Sequence, residues 1–212
     1  MKTVYLIPAP DMDERAIESV MLDGVEFIRI KLPALTLDSR VKDVLDQIAV
    51  QISHAAPLIL GFCYGGMLAV EVGKQVEARK IIVVSGARDH QDIVKSRKVM
   101  AVAFCLTPDF VLRGLGLAVS ILVNKVLRVD VKIPRVWLKA GQNKFILKHA
   151  LSSSCRDAKC EIVRIHGSED RVLPLLKDGA EYVVQGAGHF MFVRRRKDVL
   201  QAIAQAIGSE KK

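Results

Sequence analysis

The sequence predicts an α/β fold, a mostly parallel sheet flanked by helices, and three observations predict it. Short apolar, β-branched runs alternate with segments of helical period over the first 85 residues. The run Leu58-Ile59-Leu60 ends in Gly61-Phe62-Cys63-Tyr64-Gly65, followed at once by an Ala/Val/Leu-rich helical segment. Strand-like runs then return near the end, at Cys160–His166 and Tyr182–Val184. Alternation of this kind implies parallel strands with helical crossovers on both faces.

The elements follow in order. Thr3–Ile7 reads as a buried strand, closed by Pro8-Ala9-Pro10-Asp11. Asp11 or Asp13 is placed to cap a helix reaching about Leu22, ended by Asp23-Gly24. Glu26–Ile30 is a second strand, and Asp38 or Ser39 opens a helix to about Ser53 with Val41, Val44, Leu45, Ile48 and Ile52 at helical spacing. Pro57–Leu60 is the third strand, Tyr64 to about Ala78 a helix, and Lys80–Ser85 a continuous fourth strand of the kind buried on both faces. Residues 88–157 carry no convincing strand apart from the ambiguous Val136-Trp137-Leu138, and read as a helical cap inserted into one domain spanning 1–212. Val99, Met100, Val102, Phe104, Leu112, Leu115, Leu117, Ile121 and Leu122 are its apolar residues, expected to pack it onto the sheet and line a pocket. The closing helix runs from Phe190 to Ile207, and Ser209–Lys212 is a frayed tail.

Composition narrows the function classes. Half of the 212 residues are apolar, enough for a sizeable core. No apolar run approaches the ~18 residues that a membrane span needs. The opening Lys2-Thr3-Val4-Tyr5-Leu6-Ile7 is no signal peptide, because Pro8 and Pro10 close it after four apolar residues. Four scattered cysteines without metal-ligand spacing indicate a reducing, cytoplasmic setting and no metal or other cofactor. The net charge of +9 suits an anionic partner. With 5% aromatic residues and no nucleic-acid motif, specific nucleic-acid binding is not expected.

The chemistry concentrates at Cys63. In a tight strand-to-helix turn, side chains two residues either side of the apex collide with neighbouring backbone, so Gly61 and Gly65 fit those places. The helix that follows points partial positive charge at the thiol and favours its thiolate. Asp170 lies in the turn Gly167-Ser168-Glu169-Asp170-Arg171 after a late strand, with Glu169 as the alternative acid. His189 ends the glycine loop Gly186-Ala187-Gly188 after the next strand. His54, His90 and His149 lack such context, and His166 reads as structural.

The Gly-x-Cys-x-Gly turn resembles the nucleophile elbow of the α/β-hydrolase superfamily, with Cys in place of Ser as in the dienelactone hydrolases. The order nucleophile, acid, histidine is that of the superfamily. Ile7-Pro8-Ala9-Pro10-Asp11-Met12-Asp13-Glu14-Arg15, His166-Gly167-Ser168-Glu169-Asp170 through Pro174, and Gly186-Ala187-Gly188-His189 are similar to the corresponding motifs of small bacterial members. The resemblance covers nearly the whole chain. It implies Cys63 as nucleophile, His189 as its base and Asp170 as the group that fixes the imidazole. It implies backbone oxyanion donors at Tyr64 and in the loop after the first strand. The usual loop position is Pro10, which has no N–H, so the donor moves to Asp11 or Met12. Phe62, Met67 and Phe190, beside these groups, are the expected substrate contacts, and Arg171 or the run Arg194–Lys197 are candidates for anion contacts.

The expected activity is a hydrolase or acyltransferase that attacks an ester, thioester or lactone carbonyl by way of an acyl-thioester. Its partner is a small-molecule acyl substrate or an acidic acyl-carrier protein. The alternatives are a binding or regulatory protein that keeps the fold without turnover, because Ala9 and Pro10 alter the oxyanion loop, and a thiol-based sensor at Cys63.

Overall fold

The computed structural model describes residues 1–10, 12, 18–114, 139–176 and 179–208. Six strands form one sheet: β1 (Lys2–Ile7), β2 (Val25–Arg29), β3 (Leu58–Phe62), β4 (Lys80–Val84), β5 (Glu161–Gly167) and β6 (Tyr182–Val184). Their order is β2-β1-β3-β4-β5-β6, and every pairing is parallel. Seven α-helices stand among the described residues: α1 (Val41–Ala49), α2 (Tyr64–Gln75), α3 (Lys95–Leu106), α4 (Asp109–Gly114), α5 (Ala140–Ser152), α6 (Met191–Arg194) and α7 (Arg196–Gly208).

The period-two alternation of the strands splits the core into two layers. Val4, Leu6, Leu60, Phe62, Ile82, Val84, Val163 and Ile165 face α6 and α7. Tyr5, Ile7, Ile59, Ile81 and Val83 face α1, α2 and α5. Helix α2 lies between the sheet, α1 and α5, so almost all of its residues are buried. Gly65 and Gly66 cost such a helix about 1 kcal/mol each in propensity. Full burial of one Leu or Ile returns about 1.5–3 kcal/mol, so packing of Leu68, Val70 and Val72 outweighs it.

Several element ends differ from the sequence expectation. Most of the first expected helix lies outside the described residues, and its end comes earlier than Leu22, which bridges to Val25 around Asp23-Gly24. Helix α1 starts at Val41 because the Ser39 hydroxyl is spent on the Thr36 N–H, 2.9 Å away, and leaves the helix end uncapped. The closing helix breaks at Arg195 (φ −126°, ψ 39°), separating α6 from α7.

Between β4 and β5, α3 and α4 are tied to α5 by the buried Lys144, whose ammonium meets Asp109 Oδ1 at 2.6 Å and the Thr107 carbonyl at 2.7 Å. Helix α5 also sends Phe145 and Ala150 into the core beneath α2. Of the expected cap residues, Val99, Met100 and Val102 are exposed, Phe104 is half-buried and Leu112 is buried. Leu115, Leu117, Ile121, Leu122, the ambiguous Val136-Trp137-Leu138 and the tail from Ser209 lie outside the described residues.

Two glycine substitutions test this packing. A Cβ at Gly65 would stand 2.5 Å from the Pro8 carbonyl oxygen, whereas one at Gly141 meets nothing nearer than 3.5 Å. Gly65→Ala is expected to lose about 2–3 kcal/mol in urea unfolding, and Gly141→Ala to gain up to about 1 kcal/mol from helix propensity.

Candidate active site

The site forms at the carboxyl ends of β3, β5 and β6, where open parallel sheets place their ligands. Strand β3 runs into the turn at Cys63, whose backbone takes φ 50° and ψ −117° before α2 begins at Tyr64. L-residues seldom adopt that φ, and neighbouring structure must hold it. Here the Cys63 N–H donates to the Val84 carbonyl at 2.9 Å, and the Gly66 N–H donates to the Cys63 carbonyl at 3.1 Å. A Cβ at Gly61 would lie 2.5 Å from Gly66 Cα, so both sides of the turn are closed to larger residues.

The structure brings Cys63, His189 and Asp170 into one hydrogen-bonded row across 126 residues of sequence. His189 Nε2 lies 3.3 Å from Cys63 Sγ, and His189 Nδ1–H donates to Asp170 Oδ2 at 2.7 Å. Asp170 is buried, and its Oδ1 accepts the N–H groups of Val172 at 2.9 Å and Leu173 at 2.8 Å. Glu169, the alternative acid, is exposed.

Electrostatics follow from this row. Burial pushes the Cys63 thiol up, but the charge and hydrogen bond of His189, with the Tyr64 N–H, more than offset it and leave the thiol below its ordinary value. Burial disfavours the His189 cation, yet the Cys63 thiolate and the Asp170 carboxylate push it up to about 10. Burial likewise opposes ionisation of Asp170, and hydrogen bonds from His166 and His189 hold it well below the usual carboxylate range. The arrangement favours a thiolate beside an imidazolium.

The other sequence candidates separate. Phe62 and Met67 are buried in the core, Phe62 edge-on to Phe192 with centroids 5.1 Å apart. Phe190 is exposed and stands edge-on to His189 at 5.3 Å. Arg171 is exposed, and in the basic run Arg195 reaches the Gln185 carbonyl while Arg196 reaches that of Ser19. Asp11 lies outside the described residues. Met12, beside it, donates its N–H to the Ala9 carbonyl at 3.0 Å.

His149, Arg97 and His166 also belong to this region. The Tyr64 hydroxyl is hydrogen-bonded to His149 Nδ1 of α5 at 2.7 Å, both residues being buried. Burial pushes Tyr64 up and His149 down, so neither ionises near neutral pH. Arg97 of α3 donates to the Arg171 and Val172 carbonyls, next to Asp170. His166 reaches Asp170 Oδ2 itself, at 3.1 Å. Only the position of His166 before the acid turn hinted at its place; 85 residues part His149 from Tyr64, and no local pattern joins them.

No protein-family model matches the sequence, and no curated protein matches it. Solved structures do match. ClbQ from the colibactin NRPS/PKS pathway superposes with a TM-score of 0.65 at 15% identity, over 97% of this chain and 96% of its own. The esterase EaEST from Exiguobacterium antarcticum gives 0.62 at 14%, over 99% and 92%. MGS-M2, an α/β-hydrolase enzyme from a Medee basin deep-sea metagenome library, gives 0.69 at 14%, over 100% and 90%. At such identities the likeness speaks for architecture, and with the six parallel strands and the turn at Cys63 it establishes that this chain has the α/β-hydrolase fold.

Proposed function

We propose that the protein is a hydrolase that opens an ester or thioester by attack of the Cys63 thiolate. The observation that carries this reading is the Cys63–His189–Asp170 row, with contacts of 3.3 and 2.7 Å. The thiolate adds to the carbonyl carbon, and the Tyr64 N–H stabilises the resulting oxyanion. As the tetrahedral adduct collapses, the His189 imidazolium gives its proton to the departing alkoxide or thiolate, leaving an acyl-thioester on Cys63. His189 then removes a proton from water, whose oxygen attacks the acyl carbon and releases the acid and the free thiolate. Asp170 holds the imidazole orientation and stabilises its cation throughout.

The basic surface suits an anionic acyl substrate, whether a small molecule or an acyl group on an acidic carrier protein. Four free thiols suit a reducing cytoplasm. The helices between β4 and β5, tied to the acid turn through Arg97, serve as the cap of the site.

A second reading, a fold-retaining binding protein without turnover, draws on the loop after β1. Pro10 has no N–H, and that of Met12 is committed to Ala9. Loss of one oxyanion donor costs about 3 kcal/mol of transition-state stabilisation. A burst assay with p-nitrophenyl acetate and an acyl-thioester separates the two. On the hydrolase reading, a burst followed by steady turnover is expected, with both lost in Cys63→Ala. A burst that never turns over, restored to turnover by Pro10→Leu, would move the assignment to the second reading.

Two further outcomes are expected if Cys63 turns over. The pH profile of kcat/KM has a plateau bounded below by protonation of Cys63, at a pH under the ordinary thiol range, and above by loss of the His189 proton near about 10. Asp170→Asn lowers kcat on the order of 10⁴-fold through the wrong imidazole tautomer, measured by steady-state kinetics on folded protein.

A further inference from the structure

We propose that His166 is a positioning residue for Asp170: by holding the Leu173 carbonyl, with its Nε2 close to Oδ2, it keeps the carboxylate turned toward His189. The inference rests on the reading of Cys63, His189 and Asp170 as the reacting row. His166 is fully buried on β5. Its Nε2 lies 2.8 Å from the Leu173 carbonyl oxygen and 3.1 Å from Asp170 Oδ2. A carbonyl only accepts, so the proton sits on Nε2 and its hydrogen bond goes to Leu173, with Asp170 Oδ2 close beside the same nitrogen. Oδ2 takes the His189 N–H with the His166 ring beside it, while Oδ1 takes the N–H groups of Val172 and Leu173. Leu173 closes the arrangement: its N–H goes to Asp170, and its carbonyl is held by His166.

Packing alone does not account for a histidine here. Nδ1 of His166 is buried with no partner among the described residues. An apolar side chain of similar size would fill the volume without that unpaired atom. The Nε2–H is what such a replacement would lack. Two residues earlier on β5, Arg164 is also fully buried, and its charge bears on Asp170. Arg164 is itself held by the Gly86 and Gly179 carbonyls and by Asp92, 3.5 Å away, and Asp92 is paired with Arg88. His189 is then the direct side-chain donor to the carboxylate, and His166 the side chain that fixes the turn behind it. Without His166 the carboxylate loses its alignment with His189, the imidazolium loses an oriented counter-ion, and the thiolate loses support.

The test is the pH dependence of Cys63 alkylation by iodoacetamide, followed by mass spectrometry of the Cys63 peptide in the full chain. This readout needs no turnover. His166→Leu is expected to move the half-maximal pH up by about one, toward the ordinary thiol value. His166→Gln, whose amide N–H reaches the place of Nε2, is expected to restore most of the shift. If the Leu variant does not melt cooperatively, His166→Asn replaces it: a shorter amide that stays polar but falls short of Oδ2. Coincident profiles for wild type and His166→Leu, or for the Asn and Gln variants, overturn the proposal. They leave the reacting row standing if the wild-type midpoint is low and rises in His189→Ala. A wild-type midpoint at the ordinary thiol value, unmoved by His189→Ala, overturns the row and this proposal together.

Discussion

The backbone of Cys63 is held where residues with side chains seldom go, and the site depends on the sheet keeping it there. The hold comes from Val84 on the neighbouring strand, which takes the Cys63 N–H, and from the near contact of Gly65 with the chain leaving β1. Without that turn, β3 would carry its side chains alternately into the two core layers, and a thiol at position 63 would be an ordinary small core group. The turn instead lifts it to meet an imidazole delivered from after β6. Strain at one residue is sustained by pairing along three strands.

Charge in the site is balanced by donors rather than by solvent. Asp170 is buried, its Oδ1 takes two backbone N–H groups and its Oδ2 takes that of His189, with His166 close by. The turn that presents it has three consecutive carbonyls, of Arg171, Val172 and Leu173, all held by side-chain N–H groups: the first two by Arg97, the third by His166. One of those side chains comes from the sheet and the other from α3. The acid is thus fixed from below and above, and the helices between β4 and β5 are joined to it by more than apolar contact. The Tyr64–His149 bond makes a similar junction at the other end of the row, between the first residue of α2 and α5.

The sequence made the sheet legible because parallel strands buried on both faces leave continuous apolar runs, and the elbow because its glycines stand at fixed offsets. Cys63, Asp170 and His189 each carried a local mark, a turn or a glycine loop, and the structure brings these three together. His149, His166 and Arg97 carried none that identified a partner, since a hydrogen bond across tens of residues has no periodicity to read. Element ends were the least legible for the same reason. Ser39 is a good capping residue whose hydroxyl is spent on Thr36, and the break at Arg195 follows no glycine or proline. Phe62 and Met67 flank Cys63 in sequence, yet a strand and a helix turn both side chains into the core.

The order of the strands bears on how the protein comes into being. The first four to be synthesised, β1 to β4, are contiguous in the sheet, and β5 and β6 add to the open edge of β4 only after the long helical excursion. Lys80 and Glu161 are register partners across that excursion, so this closure is a slow, non-local event during which β4 presents an unprotected edge. Domains fold as the chain emerges from its amino end. Cys63 is therefore made before Asp170 and His189, and an isolated thiol is only a few per cent ionised near neutral pH. The nascent chain thus carries this thiol without the imidazole that favours its thiolate, which comes with the last quarter of the sequence.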